Sequence, residues 1–515
     1  MAKKLQFTLD FDQDLAKYFK SKYPNYSDYR ILSQSLDARG APRGKKPKYH
    51  YILEAITADE SFSEYDEKLP QVNWSKNKPI IIGAGPCGLF AAKRFSDYGI
   101  PTIVIERGDM AHQRMLHISK YWRRGLLNKE SNVCYGEGGA GLFSDGKLIT
   151  RVKSPFIQYV MQTFVDYGAP EEVAYISNPH LGSNKIRQII SKMTDDLKNQ
   201  NHQFIYNNGV DEILFDEDKV RGVKLKDGSE ILSDTVILAT GHSASEMYQH
   251  LLDARVAMEA KSFAVGVRIE HPRMEIDKLQ YGTFADSGEL GAARYRLSYH
   301  DETTEKGTYS FCMCPGGYVL SSGTDVDGIV VNGMSNYARN SRWSNSALVV
   351  SVTAGKDFNP EHILEGLEFQ NKIEKKAFDL SKKQADGRML PAMTVEEFLN
   401  NKLNKNELPK TSSPSGIFKT DISQIFPEFI NSHLKVALKE FDKKIPGFAS
   451  SEAVLIAPET RTSAPITILR DKLSFESPSH KGLYPGGEGA GYAGGITSAA
   501  VDGIKIVEAI LNKSE

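Results

Sequence analysis

The stretch PIIIGAGPCGLFAAKRF, Pro79 to Phe95, decides how the chain begins to fold. Pro79 to Ile82 is a short apolar run, as a strand buried on both faces requires. Gly83, Gly85 and Gly88 follow in the spacing GxGxxG, with Pro86 where a first helical turn tolerates it. Leu89 to Phe95 has helical spacing, and Gly99 ends the helix. Ile100 to Ile105 is a second apolar strand, closed by Glu106 and Arg107. A lone GxGxxG is a weak signal, but here a strand precedes it and a helix follows. Gly83 permits the tight turn, and Gly85 lets the backbone approach a pyrophosphate. Gly88 lets the helix pack on the strand, while the first helical N–H groups face the phosphates. Glu106 then stands where a carboxylate accepts hydrogen bonds from a ribose and disfavours a 2′-phosphate. The competing reading is an ordinary α/β turn followed by a surface glutamate.

Further along, a hairpin-rich stretch runs from Phe204 through Val210, Ile213 and Val223 to Ile231. It leads into the apolar strand Thr235 to Ala239, followed by Thr240 and Gly241. Near the C-terminus stands GLYPGGEGAGYAGG, Gly482 to Gly495, before a helix-spaced run from Ile496 to Leu511. A fingerprint, an Ala-Thr-Gly strand end and a glycine-rich turn before the last helix, in that order, resemble the glutathione-reductase-type FAD fold. The resemblance implies that Gly487 and Glu488 lie at the flavin ribityl or pyrophosphate, although Asp is more usual at 488. It implies that Gly494, Gly495 and Ile496 open a helix facing the flavin, that Val210 bonds the adenine edge through its backbone, and that Gly241 approaches the cofactor. No second GxGxxG with strand context lies between Gly241 and Pro446, and the first helix has no CxxxxC. This points to the branch in which a substrate or cap domain interrupts the FAD domain.

Four longer motifs narrow the match: NVCYGEGGAGLFSDGKL (132–148), ATGHSA (239–244), FAVGVRIEH (263–271) and FCMCPGG (311–317). With the N-terminal segment, they resemble the bacterial proteins labelled uncharacterised FAD-dependent, or NAD(FAD)-utilising, dehydrogenases. The resemblance covers nearly the whole chain and implies bound FAD and an oxidoreductase role. The residues agree with it. Gly136 to Gly141, with Gly138 and Gly139 at the centre, offers a backbone without side chains to lie against a flat ring. Ser144, Asp145, Gly146 and Lys147 follow, placed to bind flavin oxygens or phosphate; a glycine-rich surface loop is the alternative. Cys312 and Cys314, two apart on Tyr309 to Cys314, share one face if the segment is a regular strand. They are the candidate catalytic thiols, with buried structural cysteines the commoner case. Cys87, inside the fingerprint, reads as inert. His242, His271 and Lys147 lie in the right motifs, yet none is singled out as a base.

The expected fold class is α/β: a glutathione-reductase-type, Rossmann-like FAD domain, an inserted α+β substrate or cap domain, and a small N-terminal α+β domain. The expected boundaries are 1–57 for the N-terminal domain, 58–77 for a linker, 78–250 and 445–515 for the FAD domain, and 251–444 for the insert. The N-terminal unit reads strand, helix, strand, strand. Its loop carries Arg39, Arg43, Lys45, Lys46 and Lys48 and is read as a solvated hairpin loop, with phosphate contact as the alternative.

Composition bounds the partners. The 515 residues carry 64 Lys+Arg against 65 Asp+Glu, a net charge of −1, which disfavours bulk binding to nucleic acid or membrane. With 40% hydrophobic and 25% charged residues, the chain is ordinary for a globular protein. Four cysteines exclude a disulfide scaffold and fit a reducing compartment. Asp10, Asp12 and Asp14 forbid a secretory leader, and no run is long enough to span a bilayer, so the expectation is cytoplasmic. No Cys/His spacing suits zinc, so no metal is expected. The expected activity is a dehydrogenase or reductase moving a hydride between FAD N5 and a small organic substrate, with NAD(P)H, if used, docking transiently. The alternatives are a flavin monooxygenase and a non-catalytic FAD-binding protein whose N-terminal domain touches RNA or a partner.

Overall fold

Ile80–Ile82 is the centre of a five-stranded parallel sheet, and its three isoleucines are buried on both faces. The strand order is Leu483–Pro485, Val236–Leu238, Ile80–Ile82, Ile103–Glu106 and Gln203–Tyr206. Every neighbouring pair is parallel, so all the strands end on the same edge. The computed structural model describes residues 2–63, 65, 67, 69–176 and 179–512. Helix Pro86–Asp97 leaves the fingerprint turn and packs on the last helix, Ile496–Asn512. Glycine permits that contact: a Cβ on Gly503 would lie 2.1 Å from the Cys87 carbonyl oxygen. An antiparallel meander, Val210–Asp216, Lys219–Leu225 and Glu230–Leu232, rises beyond Gln203–Tyr206.

The second unit is a seven-stranded sheet. Its order is Ser298–Asp301, Lys306–Cys314, Trp343–Val352, Phe263–Pro272, Val454–Glu459, Leu390–Thr394 and Ile417–Lys419. Alternation along Phe263–Pro272 turns Val265, Val267 and Ile269 into one apolar core with helices Glu365–Gln384 and Glu428–Lys444. Ala264 joins a separate cluster on the opposite face, where Ala347 and Val349 lie. The boundary expected at 445 falls too early. Val454–Glu459 pairs antiparallel with both Phe263–Pro272 and Leu390–Thr394, so the chain stays in the inserted unit through Glu459. The apolar run Ala453 to Ala457 marks a buried strand but not which sheet it joins, because an internal strand of either sheet reads alike.

The N-terminal unit has the anticipated order: strand Lys3–Asp10, helix Leu15–Lys22 capped by Asp14, then Asp28–Asp37 and Lys48–Ile56. The third strand is central, and Leu5, Leu9, Phe19, Tyr51, Leu53 and Ala55 form the core. Its basic loop is solvated at its charges, since Arg39, Arg43, Lys45, Lys46 and Lys48 are all exposed. Ala41 is buried against Gly282, whose Cβ would lie 2.6 Å from the Ala41 carbonyl oxygen. Lys46 pairs with Asp12 at 2.8 Å and Arg39 with Asp37 at 2.7 Å, so much of the positive charge is neutralised within the unit. The 58–77 segment contains no helix or strand among its described residues, yet it is more than a linker. Leu69, Val72 and Trp74 pack on the core of the parallel-sheet unit, and Glu67 pairs with the buried Arg94 at 2.7 Å. Among the described residues, no helix is long and apolar enough to cross a membrane.

Candidate cofactor cleft

The turn after Ile80–Ile82 leaves room where a ligand backbone would run. Gly83 has φ +106°, and a Cβ there would lie 2.4 Å from the Ala239 carbonyl oxygen, so only glycine makes this turn. Gly85 differs. Its added Cβ would meet only Gly139 Cα, at an ordinary 3.8 Å. The loop 136–141 lies directly on the fingerprint, with the Gly138 N–H donating to the Ala84 carbonyl at 2.8 Å. Gly241, at the end of Val236–Leu238, and Gly494, before the last helix, face open space with no heavy atom within 4 Å of an added Cβ. Helix Ile496–Asn512 starts there and leaves its first N–H groups for a ligand. Between them stands Glu488. Its carboxylate has no hydrogen-bond partner among the described residues, and burial pushes it up to about 7 although Lys261 opposes the shift. Bare backbone at two strand ends and before the last helix, a free helix N-terminus and an unpartnered carboxyl fit FAD and would be costly without a ligand.

Other candidates are placed differently from expectation. Glu106 is buried, and its oxygens accept the N–H groups of Ala84 at 2.9 Å, Gly108 at 2.9 Å and Gly136 at 3.0 Å. A carboxylate offers about four acceptor positions, so one remains for a ribose hydroxyl while the others tie the glycine loop to the fingerprint. Arg107 is committed elsewhere. It pairs with Glu130 at 2.8 Å and with Glu246, and lies over the Tyr135 ring at 4.1 Å. Asp145 is likewise engaged by the protein: it accepts from Ser335 and Arg339, with Lys147 at 3.5 Å. Ser144 bonds within its own turn, donating to Gly141 at 2.8 Å and accepting from Gly146 at 3.1 Å. Gly146 is needed for contact with Gly182, whose nitrogen would lie 2.4 Å from an added Cβ. Lys147 donates to the Met313 carbonyl. Val210 opens the meander beside Gly209, whose Cβ would lie 2.9 Å from Arg107 Cβ. The Gly487 N–H is held by Asp502 at 2.8 Å.

Three residues that sequence reading passed over hold this frame. Arg114 is completely buried and donates to the carbonyls of Asn132, Val133 and Glu137 at 2.7, 2.7 and 2.8 Å, clamping the loop from below. Desolvation brings its guanidinium down to about 10. Asp502 and Arg470 pair at 2.7 Å and lock the last helix to the turn after Leu483–Pro485. Arg114 lies among other basic residues on an amphipathic helix, and nothing in its spacing marks it.

The cap side of the cleft is made by strand Lys306–Cys314. Its pairing with Trp343–Val352 slips between Phe311 and Cys314, the signature of a bulge. Cys312 takes φ +42° there. The two thiols therefore do not share a face as a regular strand would have them: Cys312 is exposed and Cys314 buried, and both are free. Cys312 is exposed as a residue, yet desolvation by the protein around its thiol pushes it up to about 11 against the pull of Lys147 and Arg268. Cys314 rises to about 12 for the same first reason. Below the bulge, Arg268 is fully buried and grips Glu459 through two bonds of 2.8 Å, while donating to Asn345 at 2.8 Å and to the Cys312 carbonyl at 3.3 Å. His271 contacts the Phe448 carbonyl at 2.8 Å inside the cap core, and burial lowers it to about 4. His242 sits beside the Ser243 hydroxyl at 2.7 Å, and burial with nearby Arg461 lowers it to about 4 as well. Cys87 is buried, and its thiol is pushed well up by desolvation. No cluster of three or more His, Cys, Asp or Glu able to hold a metal occurs among the described residues.

The two halves of the cleft correspond to two family models. The model described as a pyridine nucleotide-disulphide oxidoreductase matches residues 77–247. The model described as an FAD-dependent protein, C-terminal domain-like, matches residues 262–462, which agrees with the extent of the seven-stranded sheet. An uncharacterised protein of Clostridium beijerinckii is 40% identical over 441 residues, covering 85% of this chain and 81% of its own. Among solved structures, CtdE in complex with FAD is 12% identical, with a TM-score of 0.31 over 85% of this chain and 84% of that one. The flavin-dependent brominase Bmp2 is 12% identical, with a TM-score of 0.37 over 85% of this chain and 80% of that one. Scores of this size carry no conclusion about the reaction.

Proposed function

This chain belongs to the family of FAD-dependent oxidoreductases, and on that premise we propose that it is a dehydrogenase or reductase acting on an organic molecule held in the cleft. The molecule would lie between the glycine turns of the parallel sheet and the bulge at Cys312–Cys314. The observation that carries this reading is the open backbone at Gly85, Gly241 and Gly494 around the unpartnered Glu488, faced by a separate wall from the cap. Bound FAD supplies a ring that accepts or returns a hydride at N5.

The residues of the chain do the rest. Gly85 and the start of helix Pro86–Asp97 receive the pyrophosphate, and Glu106 keeps one acceptor position for the adenosine ribose. The N-terminus of Ile496–Asn512 favours negative charge where a reduced ring carries it. Glu488, raised to about 7, exchanges its proton near neutral pH and can either donate to or accept from a hydroxyl of the cofactor. On the cap wall, Cys312 at about 11 is a neutral thiol at pH 7, and on the parallel-sheet side His242, just after Gly241, at about 4 is a neutral imidazole. These groups therefore shape the site and exclude water rather than bring a charge to it.

Anaerobic titration of the yellow holoprotein with NADH, NADPH and fractionated metabolites tests the reading. The expected result is bleaching of the flavin by at least one organic donor, reversed by an acceptor. Protein that takes up no FAD, or a bound flavin that no donor bleaches, would overturn it.

A further inference from the structure

Where the glycine loop meets the cap bulge, one cation has no carboxylate of its own. The Cys312 thiol feels Lys147 and Arg268 against Glu459 and Glu488, so groups from both walls of the cleft surround it. Among the described residues, each carboxylate here is already answered. Glu459 receives two bonds of 2.8 Å from Arg268. Asp145 is held by Arg339 through Nη2 and through Nε at 3.3 Å, and also accepts from the Ser335 hydroxyl. Glu488 has Lys261 as its countercharge. Lys147 is left over. Its ammonium lies 3.5 Å from Asp145, too far for a good hydrogen bond to an oxygen that Arg339 and Ser335 already serve. His180 adds no negative charge: it meets Arg339 at 2.9 Å, and burial keeps it below its usual range and neutral at pH 7. Arg294, exposed and without a hydrogen bond or ion pair among the described residues, adds a further positive field at His180.

Lys147 is also placed for a ligand. Its Nζ donates to the Met313 carbonyl, between the two cysteines of the bulge, while its side chain stays 30% exposed. An ammonium has three donors, so at least one is free after the Met313 carbonyl and Asp145 are counted. The neutral Cys312 thiol beside it is a second, weaker donor. A half-buried charge without a partner is costly, and a bound anion removes that cost. One free ammonium donor and a thiol suit a carboxylate; a phosphate would leave most of its oxygens unserved.

We propose that the organic molecule taken by the cleft is a carboxylic acid, bound as its carboxylate by the Lys147 ammonium with Cys312 beside it. This names the substrate class of the site and rests on the dehydrogenase reading above. Lys147 binds and orients the acid at the bulge and exchanges no proton with it.

The test titrates the FAD-loaded full chain with benzoate and with benzamide, which share a ring and differ in charge, and follows the flavin absorbance. Benzoate should bind roughly tenfold or more tightly than benzamide. Lys147→Gln, whose amide can still donate to the Met313 carbonyl, should bring benzoate down to the level of benzamide, and Lys147→Arg should restore most of the difference. In the wild type, benzoate but not benzamide should shield Lys147 from acetic anhydride, read by peptide mass spectrometry; this holds the proposal to account even if Lys147→Gln does not fold. Equal binding of the two probes, no binding of either, equal labelling of Lys147, or full discrimination in Lys147→Gln would each overturn it. So would loss of FAD from Lys147→Gln at an unchanged melting temperature, which would assign the charge to the cofactor. Anaerobic bleaching separates the two readings. If uncharged donors bleach the flavin and carboxylic acids do not, the carboxylate proposal fails while the dehydrogenase reading stands; if no organic donor bleaches it, the dehydrogenase reading itself fails.

Discussion

The two walls of the cleft are built in opposite ways. On the parallel-sheet side the backbone comes close because side chains are missing, at Gly83, Gly85, Gly139 and Gly241. On the cap side the backbone is bent by a bulge, and buried charge from Arg268 and Glu459 holds it there. The first wall is specified by local stereochemistry. The second depends on partners nearly two hundred positions apart in the chain, an expensive arrangement unless every hydrogen bond is made.

The largest expected effect separates two glycines within the first wall. Gly83→Val forces a side chain into Ala239 and into a left-handed backbone, and should cost more than about 4 kcal/mol. Gly85→Val should leave the melting temperature within a few degrees, since protein atoms leave space for it, yet abolish FAD retention by filling the pyrophosphate path. Thermal melts and flavin absorbance check both, and equal melting losses would erase the distinction.

Next is the second wall. Arg268→Met leaves Glu459 buried and unpaired, and should cost about 3–5 kcal/mol, while Arg268→Met with Glu459→Leu should recover much of the loss. Denaturant unfolding of the two variants decides it. A double variant no better than the single would mean that the other partners of Arg268, Asn345 and the Cys312 carbonyl, dominate.

Two carboxyls raised to about 7 sharpen the contrast further. Glu270, in the cap, is buried and bonded to the backbone N–H and hydroxyl of Ser412, whereas Glu488 has no such partner. A carboxyl raised from 4.5 holds its proton longer in the folded chain than in the unfolded one, so stability falls as pH rises from 4.5 to about 7 and is then level. Glu270→Gln should flatten that fall, on the order of 2–3 kcal/mol, and keep FAD. Glu488→Gln should weaken FAD binding roughly tenfold through an altered bond to the cofactor. Melting between pH 5 and 8 and FAD titration measure the two; an unchanged pH slope in Glu270→Gln would rule out its titration there.

The smallest effect concerns the thiols. Cys312 is the exposed cysteine, and Cys87 and Cys314 are buried. Alkylation should modify Cys312 first, and its rate should climb steadily from pH 8 to 10 because the thiol stays protonated until about 11. Cys314→Ser should leave flavin reduction unchanged. Loss of reduction in that variant would instead favour a dithiol passing electrons.

Much of the first wall was legible. Gly83 and Gly88 carry a meaning tied to short spacing, because each compensates for a backbone neighbour a few residues away or at the adjoining strand end, while Gly85 leaves open space beside them. Glu488 could be read from the turn before the last helix. The reading went astray where a residue's partners lie far along the chain. Nothing in the motifs that carry Asp145 and Arg107 shows their ion pairs with Arg339 and Glu246. Cys312 and Cys314 show a strand period, and only the mismatch with Trp343–Val352 reveals the bulge.

The amino-acid order alone therefore determined the dinucleotide turn and the glycine loop, since each rests on local torsional freedom or apolar periodicity. Tertiary structure decided that the inserted unit runs through Glu459 and that Arg114 and Glu106 hold the glycine loop. Those features are sums of distant contacts, and no window along the sequence contains both halves of any of them.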